Sequence, residues 1–248
     1  MVYRTSNAVI GNLSRQASSE VEDRASYKGV AIKAGLLGFV TVLSAVASIV
    51  LLQRVPEYMN VILIGALIGA FVFGLIAALA PSTIPVTGTI YCLLIGLVMG
   101  ATSYVVDILY SGVVPLALLS TTMVVATISI MYGLGLIKVS QRAQSIAITV
   151  LVSVMLIGLV VGLLSFFVPG LYNLFFGDSL LSIGISVLMV FLASFFVLCD
   201  IAQIDSIVKQ GLDKKLEWRA AYGLVIGIIW LYMEFLRLFA KIASRSRR

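Results

Sequence analysis

Six side chains in the last two apolar stretches could do chemistry inside a membrane: Asp200, Gln203 and Asp205 in one, and Glu234, Arg237 and Lys241 in the other. A carboxylate at the centre of a membrane helix costs about 2.5–3.5 kcal/mol, so it faces protein or a water-filled cavity rather than lipid. On a helix of 3.6 residues per turn, Gly223, Gly227, Trp230, Glu234, Arg237 and Lys241 fall along one stripe. Ser182, Ser186, Met189, Ala193, Phe196, Asp200, Gln203 and Ile207 form a second stripe on the preceding stretch. Consecutive antiparallel helices facing each other through these stripes would place Asp200 and Glu234 inside the protein as an acidic pair.

Two carboxylates close together in a low-dielectric site do not easily ionise at once, and one proton can be shared between them, which makes such a pair responsive to pH. When both are deprotonated they offer hard oxygen ligands that suit Ca²⁺ or another hard cation, with Gln203 as a further donor. Arg237, three residues after Glu234, supplies a competing reading in which it neutralises Glu234 along one helix. Asp205 lies closer to the polar loop at Lys209 and reads as a solvated helix end, while Asp107 and Asp178 fall in short loops.

These residues need elements to hold them, and composition says which. With 61% hydrophobic and 11% charged residues, the chain is too apolar for an ordinary soluble domain and reads as an all-α, polytopic membrane protein. Seven crossings are expected at about 29–52, 59–80, 87–106, 113–137, 145–168, 180–208 and 218–241, each reaching the length of about 20 residues that a bilayer requires and the sixth exceeding it, so that its end beyond Asp205 emerges into water or tilts. Pro56, Pro81, Pro85, Pro115 and Pro169-Gly170 punctuate the boundaries. The chain thus divides into a polar amino-terminal tail (1–28), a seven-helix domain (29–242) and a basic tail (243–248). Ser19 and Glu22 fit a capping box, and no signal-peptide core is expected in residues 1–27. The small-residue pairs Gly65/Gly69, Gly96/Gly100 and Gly158/Gly162 are expected at close helix crossings.

With the amino terminus in the cytoplasm, eleven Lys and Arg residues fall on that side and six on the other. The count favours a cytoplasmic amino terminus and, after seven crossings, an extracytoplasmic carboxyl terminus, although the basic tail runs against the rule. The net charge of +6 reflects topology rather than nucleic-acid binding. Cys92 and Cys199 are isolated in apolar runs and histidine is absent, which removes the usual zinc, haem and thiol-disulfide chemistries. No nucleophile–base set or phosphate loop is visible, so neither an enzyme nor a resident cofactor is expected.

The segments Asp200-Ile201-Ala202-Gln203-Ile204 and Trp230-Leu231-Tyr232-Met233-Glu234-Phe235-Leu236-Arg237-Leu238 resemble the Bax inhibitor-1 (transmembrane BAX inhibitor motif) family, and its bacterial branch in particular. Thr5-Ser6-Asn7-Ala8-Val9, the run Tyr91–Ala101, Gly135–Val139 and Glu217–Leu224 extend the similarity along nearly the whole chain. The resemblance implies six helices wrapped around a central seventh, and an acidic pair at Asp200 and Glu234 that gates a pH-sensitive calcium leak, with Ca²⁺ and protons as partners in the bilayer of a bacterial inner membrane. Two departures stand out: glutamate occupies the second acidic position, and Ile95 replaces the acid that the family carries on the third helix. The same resemblance also permits a non-transporting regulatory protein that touches a membrane protease or stress protein.

Overall fold

The seven apolar stretches become seven helices in the computed structural model, which describes residues 24–54, 56–165, 167–168, 177 and 179–246. They are α1 (Tyr27–Arg54), α2 (Pro56–Leu79), α3 (Ile84–Leu109, preceded by a 3₁₀ turn at Pro81–Thr83), α4 (Val113–Gly133), α5 (Gln141–Leu164), α6 (Leu180–Lys209) and α7 (Leu216–Ser246). All seven are long and apolar enough to cross a membrane. Among the described residues the sole β pairing is an isolated bridge between Arg24 and Asp213. The expected capping box at Ser19 and Glu22, the Thr5–Val9 motif, Pro169-Gly170 and Asp178 lie outside the described residues.

Local chemistry sets several helix ends. Ser140 and Ser179 cap α5 and α6, their hydroxyls accepting from the backbone N–H of Ala143 and Ser182 at 3.2 and 3.0 Å. Gly135 and Gly211 take positive φ and close α4 and α6. In each case the glycine N–H bonds three residues back and the next N–H bonds five back (Leu136 to Met131, Leu212 to Ile207), which is the Schellman arrangement. This turn ends α4 at Gly133, four residues before the expected boundary at 137. At the other extreme α7 stays helical to Ser246, through most of the stretch read as a basic tail.

The last helix is the inner one. It packs against α1, α3, α4 and α6, while α2 rests mainly on α3 and α5 on α6. Thirteen α7 residues are buried, including Glu217 and Glu234, and Leu231 and Leu236 lie at the centre of the largest apolar cluster. The centrality expected of the seventh helix holds, with four helices in substantial contact with it rather than six. The outward faces of α1, α2, α4 and α5 carry many exposed Leu, Ile, Val and Phe side chains, as lipid-facing surfaces do.

The glycine pairs separate into two kinds. A methyl group at Gly96 would sit 2.5 Å from the Thr41 carbonyl oxygen, and one at Gly100 would collide with the Ala45 carbonyl, so α1 and α3 meet backbone to backbone. Ser44 adds a hydroxyl hydrogen bond to the Leu93 carbonyl across this crossing at 2.5 Å. A methyl at Gly69 would sit 2.9 Å from a Leu94 side-chain carbon, so α2 approaches α3 there, whereas Gly65, Gly158 and Gly162 have nothing among the described residues within 4 Å of an added methyl. Gly100→Ala should therefore lower the thermal unfolding midpoint in detergent through about 1–3 kcal/mol of overpacking, whereas Gly158→Ala should leave it unchanged or slightly raised. Equal midpoints for the two variants would contradict the close α1–α3 crossing.

Candidate functional site

The two polar stripes do face each other, in antiparallel register along α6 and α7. Near the start of α6, the Ser182 and Ser186 hydroxyls accept hydrogen bonds from Lys241 Nζ at 2.6 and 2.8 Å, and the Ser182 carbonyl accepts at 3.3 Å. Further along, Phe196 meets Trp230 with ring centroids 5.8 Å apart. Asp200 then lies against Gly223 and Gly227. Methyl groups on those glycines would sit 3.4 Å from Asp200 Oδ1 and 2.7 Å from Oδ2, so the bare backbone of α7 is what gives the carboxylate room.

This register separates the expected acidic pair. Glu234 is seven residues beyond Gly227, about 10 Å along the axis at 1.5 Å per residue. Its carboxylate is closed within its own helix: Trp230 Nε1 donates to Oε1 at 3.0 Å, and Arg237 Nη1 donates to Oε1 and Oε2 at 3.0 and 3.2 Å. Glu234 is 2% exposed. The expected meeting of Asp200 and Glu234 is not what the structure shows: Glu234 is held by partners three and four residues away on its own helix, and Asp200 lies against Gly223 and Gly227. Asp200 has no hydrogen-bond or ion-pair partner among the described residues and is half-buried. Gln203 is exposed and does not join it. No group of three His, Cys, Asp or Glu side chains that could hold a metal occurs among the described residues.

The third-helix position is apolar in structure as in sequence. Ile95 packs against the cluster that contains Leu37, Tyr222, Val225 and Ile229, at the same level of α7 as Gly223 and Gly227. Asp200 therefore has no acid from α3 at this position.

Asp205 does more than end a helix in solvent. It accepts from Tyr27 Oη at 2.5 Å, from Tyr132 Oη at 3.1 Å and from Lys209 Nζ at 2.8 Å, tying together the ends of α1, α4 and α6. Asp107 is exposed near the end of α3.

Glu217, which the sequence marked only within a motif, is the second fully enclosed acid, at 1% exposure. It forms an ion pair with Lys33 of α1 and accepts from the Ser26 N–H and hydroxyl at 2.8 and 3.1 Å. Lys33 also lies 5.6 Å above the Trp218 ring. Gly29 leaves the space this carboxylate fills, since a methyl there would overlap it. The Ala25 N–H donates to the Leu212 carbonyl at 2.8 Å beside this lock. The Lys four residues after Gly29 was the available signal, but nothing in sequence couples α1 to the start of α7.

Fold and site together define a multi-pass helical membrane protein with a polar inner helix and a carboxylate held in the α6–α7 seam. The family described as Bax inhibitor 1 like matches residues 7–244, nearly the whole chain, and the protein belongs to that family. A comparison with curated proteins gives no match.

Breaking the Glu217 lock should be costly because it strands a buried charge. Glu217→Ala should destabilise the protein by about 3 kcal/mol and speed hydrogen exchange at Ala25 and Ser26, with a Lys33/Glu217 double-mutant cycle returning a favourable coupling. Additive effects of the two single substitutions would show that the pair is not coupled.

Proposed function

We propose that the protein is a passive, pH-responsive cation pathway, with Ca²⁺ as the cargo, whose responsive group is Asp200. The observation that carries this reading is the position of that carboxylate: half-buried, unpartnered among the described residues, and accommodated by two glycines of the inner helix. Acids inside membrane proteins mark ion and proton pathways because their desolvation has to serve some purpose. Membership of the Bax inhibitor 1 like family supports a membrane protein with channel-like activity. The Lys and Arg distribution supports a cytoplasmic amino terminus.

In this reading the ionised Asp200 attracts a cation into the α6–α7 seam, and its protonation removes that charge. Both states must pack against Gly223 and Gly227, so the balance between them sets how often the seam opens. Glu234 plays a different part from the one its spacing suggested. Locked to Trp230 and Arg237, it holds the charged half of α7 together while Asp200 titrates.

Calcium flux into proteoliposomes across acid and neutral pH tests the assignment. A charge at this depth is worth about 2.5–3.5 kcal/mol, so its removal should change the rate tenfold or more. Wild type should show a pH-dependent flux, Asp200→Asn a flat one, and Glu234→Gln a profile of the same shape with reduced protein stability. Equal flux from wild type and Asp200→Asn at every pH, or no flux above empty liposomes, would remove the proposal.

A further inference from the structure

The carboxyl-terminal half of α7 lines a second feature, independent of Asp200. A cavity of about 470 Å³ is bordered by Thr102 of α3, Tyr110 just past its end, Gly177 from the segment before α6, and Arg237, Ala240, Lys241 and Ser244 of α7. Its described lining contains two cations and no acid. Among the described residues, Glu234 is the carboxylate that faces these cations, and it reaches only Nη1 of Arg237.

The donors left over point to a ligand. A guanidinium carries five N–H donors in a planar fork, and those of Arg237 other than on Nη1 bond to none of the described residues. The Arg237 side chain is 52% exposed despite its pairing, and that exposure opens into the cavity. Lys241 is held from behind by Ser182 and Ser186, which are neutral, so its charge is oriented but not cancelled. Among the described residues, two positive charges against one negative leave this wall electropositive.

We propose that this cavity binds a phosphate-type oxyanion, with the Arg237 fork taking two of its oxygens and the Lys241 ammonium neutralising its charge. Arginine forks match tetrahedral phosphate and planar carboxylate oxygens in bidentate fashion, and a preset ammonium adds a point charge at little ordering cost. Lys241 lies about 8 Å from the described end of α7 at 1.5 Å per residue, a depth suited to the phosphate of an anionic lipid headgroup. Free phosphate entering from solution would satisfy the same donors.

Full-length protein in nanodiscs tests this, with thermal unfolding followed in phosphatidylglycerol and in phosphatidylcholine, and in phosphatidylcholine with added inorganic phosphate. Phosphatidylglycerol should raise the unfolding midpoint relative to phosphatidylcholine. Lys241→Gln and Ala240→Leu should abolish that rise, the first by removing charge and the second by filling the cavity while leaving both cations in place. Binding of the stabilising anion, titrated by native mass spectrometry, should weaken about tenfold or more in Lys241→Gln, as expected for losing one charge-assisted hydrogen bond, and about as much in Ala240→Leu, where the added side chain occupies the ligand's space. A rise produced by inorganic phosphate alone would support the oxyanion site and identify its source as soluble. No rise with either probe, or a rise unchanged in Ala240→Leu, would overturn the proposal.

Discussion

Everything in this molecule follows from the cost of placing charge in a medium that cannot solvate it. The inner helix carries Glu217, Glu234, Arg237 and Lys241, and a lipid-facing position would leave each of them uncompensated. The fold answers by surrounding α7 with α1, α3, α4 and α6 and giving each charge its own local solution. Glu217 takes an ammonium from α1, Glu234 takes a guanidinium and an indole from its own helix, and Lys241 takes hydroxyls from α6. Asp200 stands apart because its neighbours on α7 are two glycines. The charges of α7 are thus satisfied inside the bundle, whereas Asp200, across the seam on α6, meets bare glycine backbone.

Close approach of backbones makes this arrangement geometrically workable. At Gly96 and Gly100 it draws α1 onto α3, and at Gly223 and Gly227 it makes room for a carboxylate rather than for another backbone. The same residue type thus serves packing at one crossing and chemistry at the next. Aromatic contacts fill the remaining depth, with Trp230 acting both as a ring partner for Phe196 and as a hydrogen-bond donor to Glu234.

Much of the fold was legible in the sequence because a bilayer constrains it so strongly. Apolar runs bounded by proline and glycine located the seven helices, and the glycine-to-lysine stripe on α7 correctly named the face that meets α6. What the stripes could not supply was the register between them. Asp200 and Glu234 each lie on the correct face, but Lys241 docking on Ser182 and Ser186 fixes the helices so that Asp200 opposes Gly223 and Gly227 instead. Periodicity within one helix carries no information about axial offset against another. Glu217 was missed for a related reason: its partners Ser26 and Lys33 are nearly two hundred residues away in the chain, and only the packed bundle brings them together.

The separation of the two acids is the point on which the account turns, and infrared difference spectroscopy of the protein in lipid addresses it directly. Lowering pH should produce a protonated-carboxyl band that vanishes in Asp200→Asn and persists unchanged in Glu234→Gln. A band lost in both variants would be the signature of a proton shared between the two residues, and would contradict a lone responsive acid at the glycine face of the inner helix.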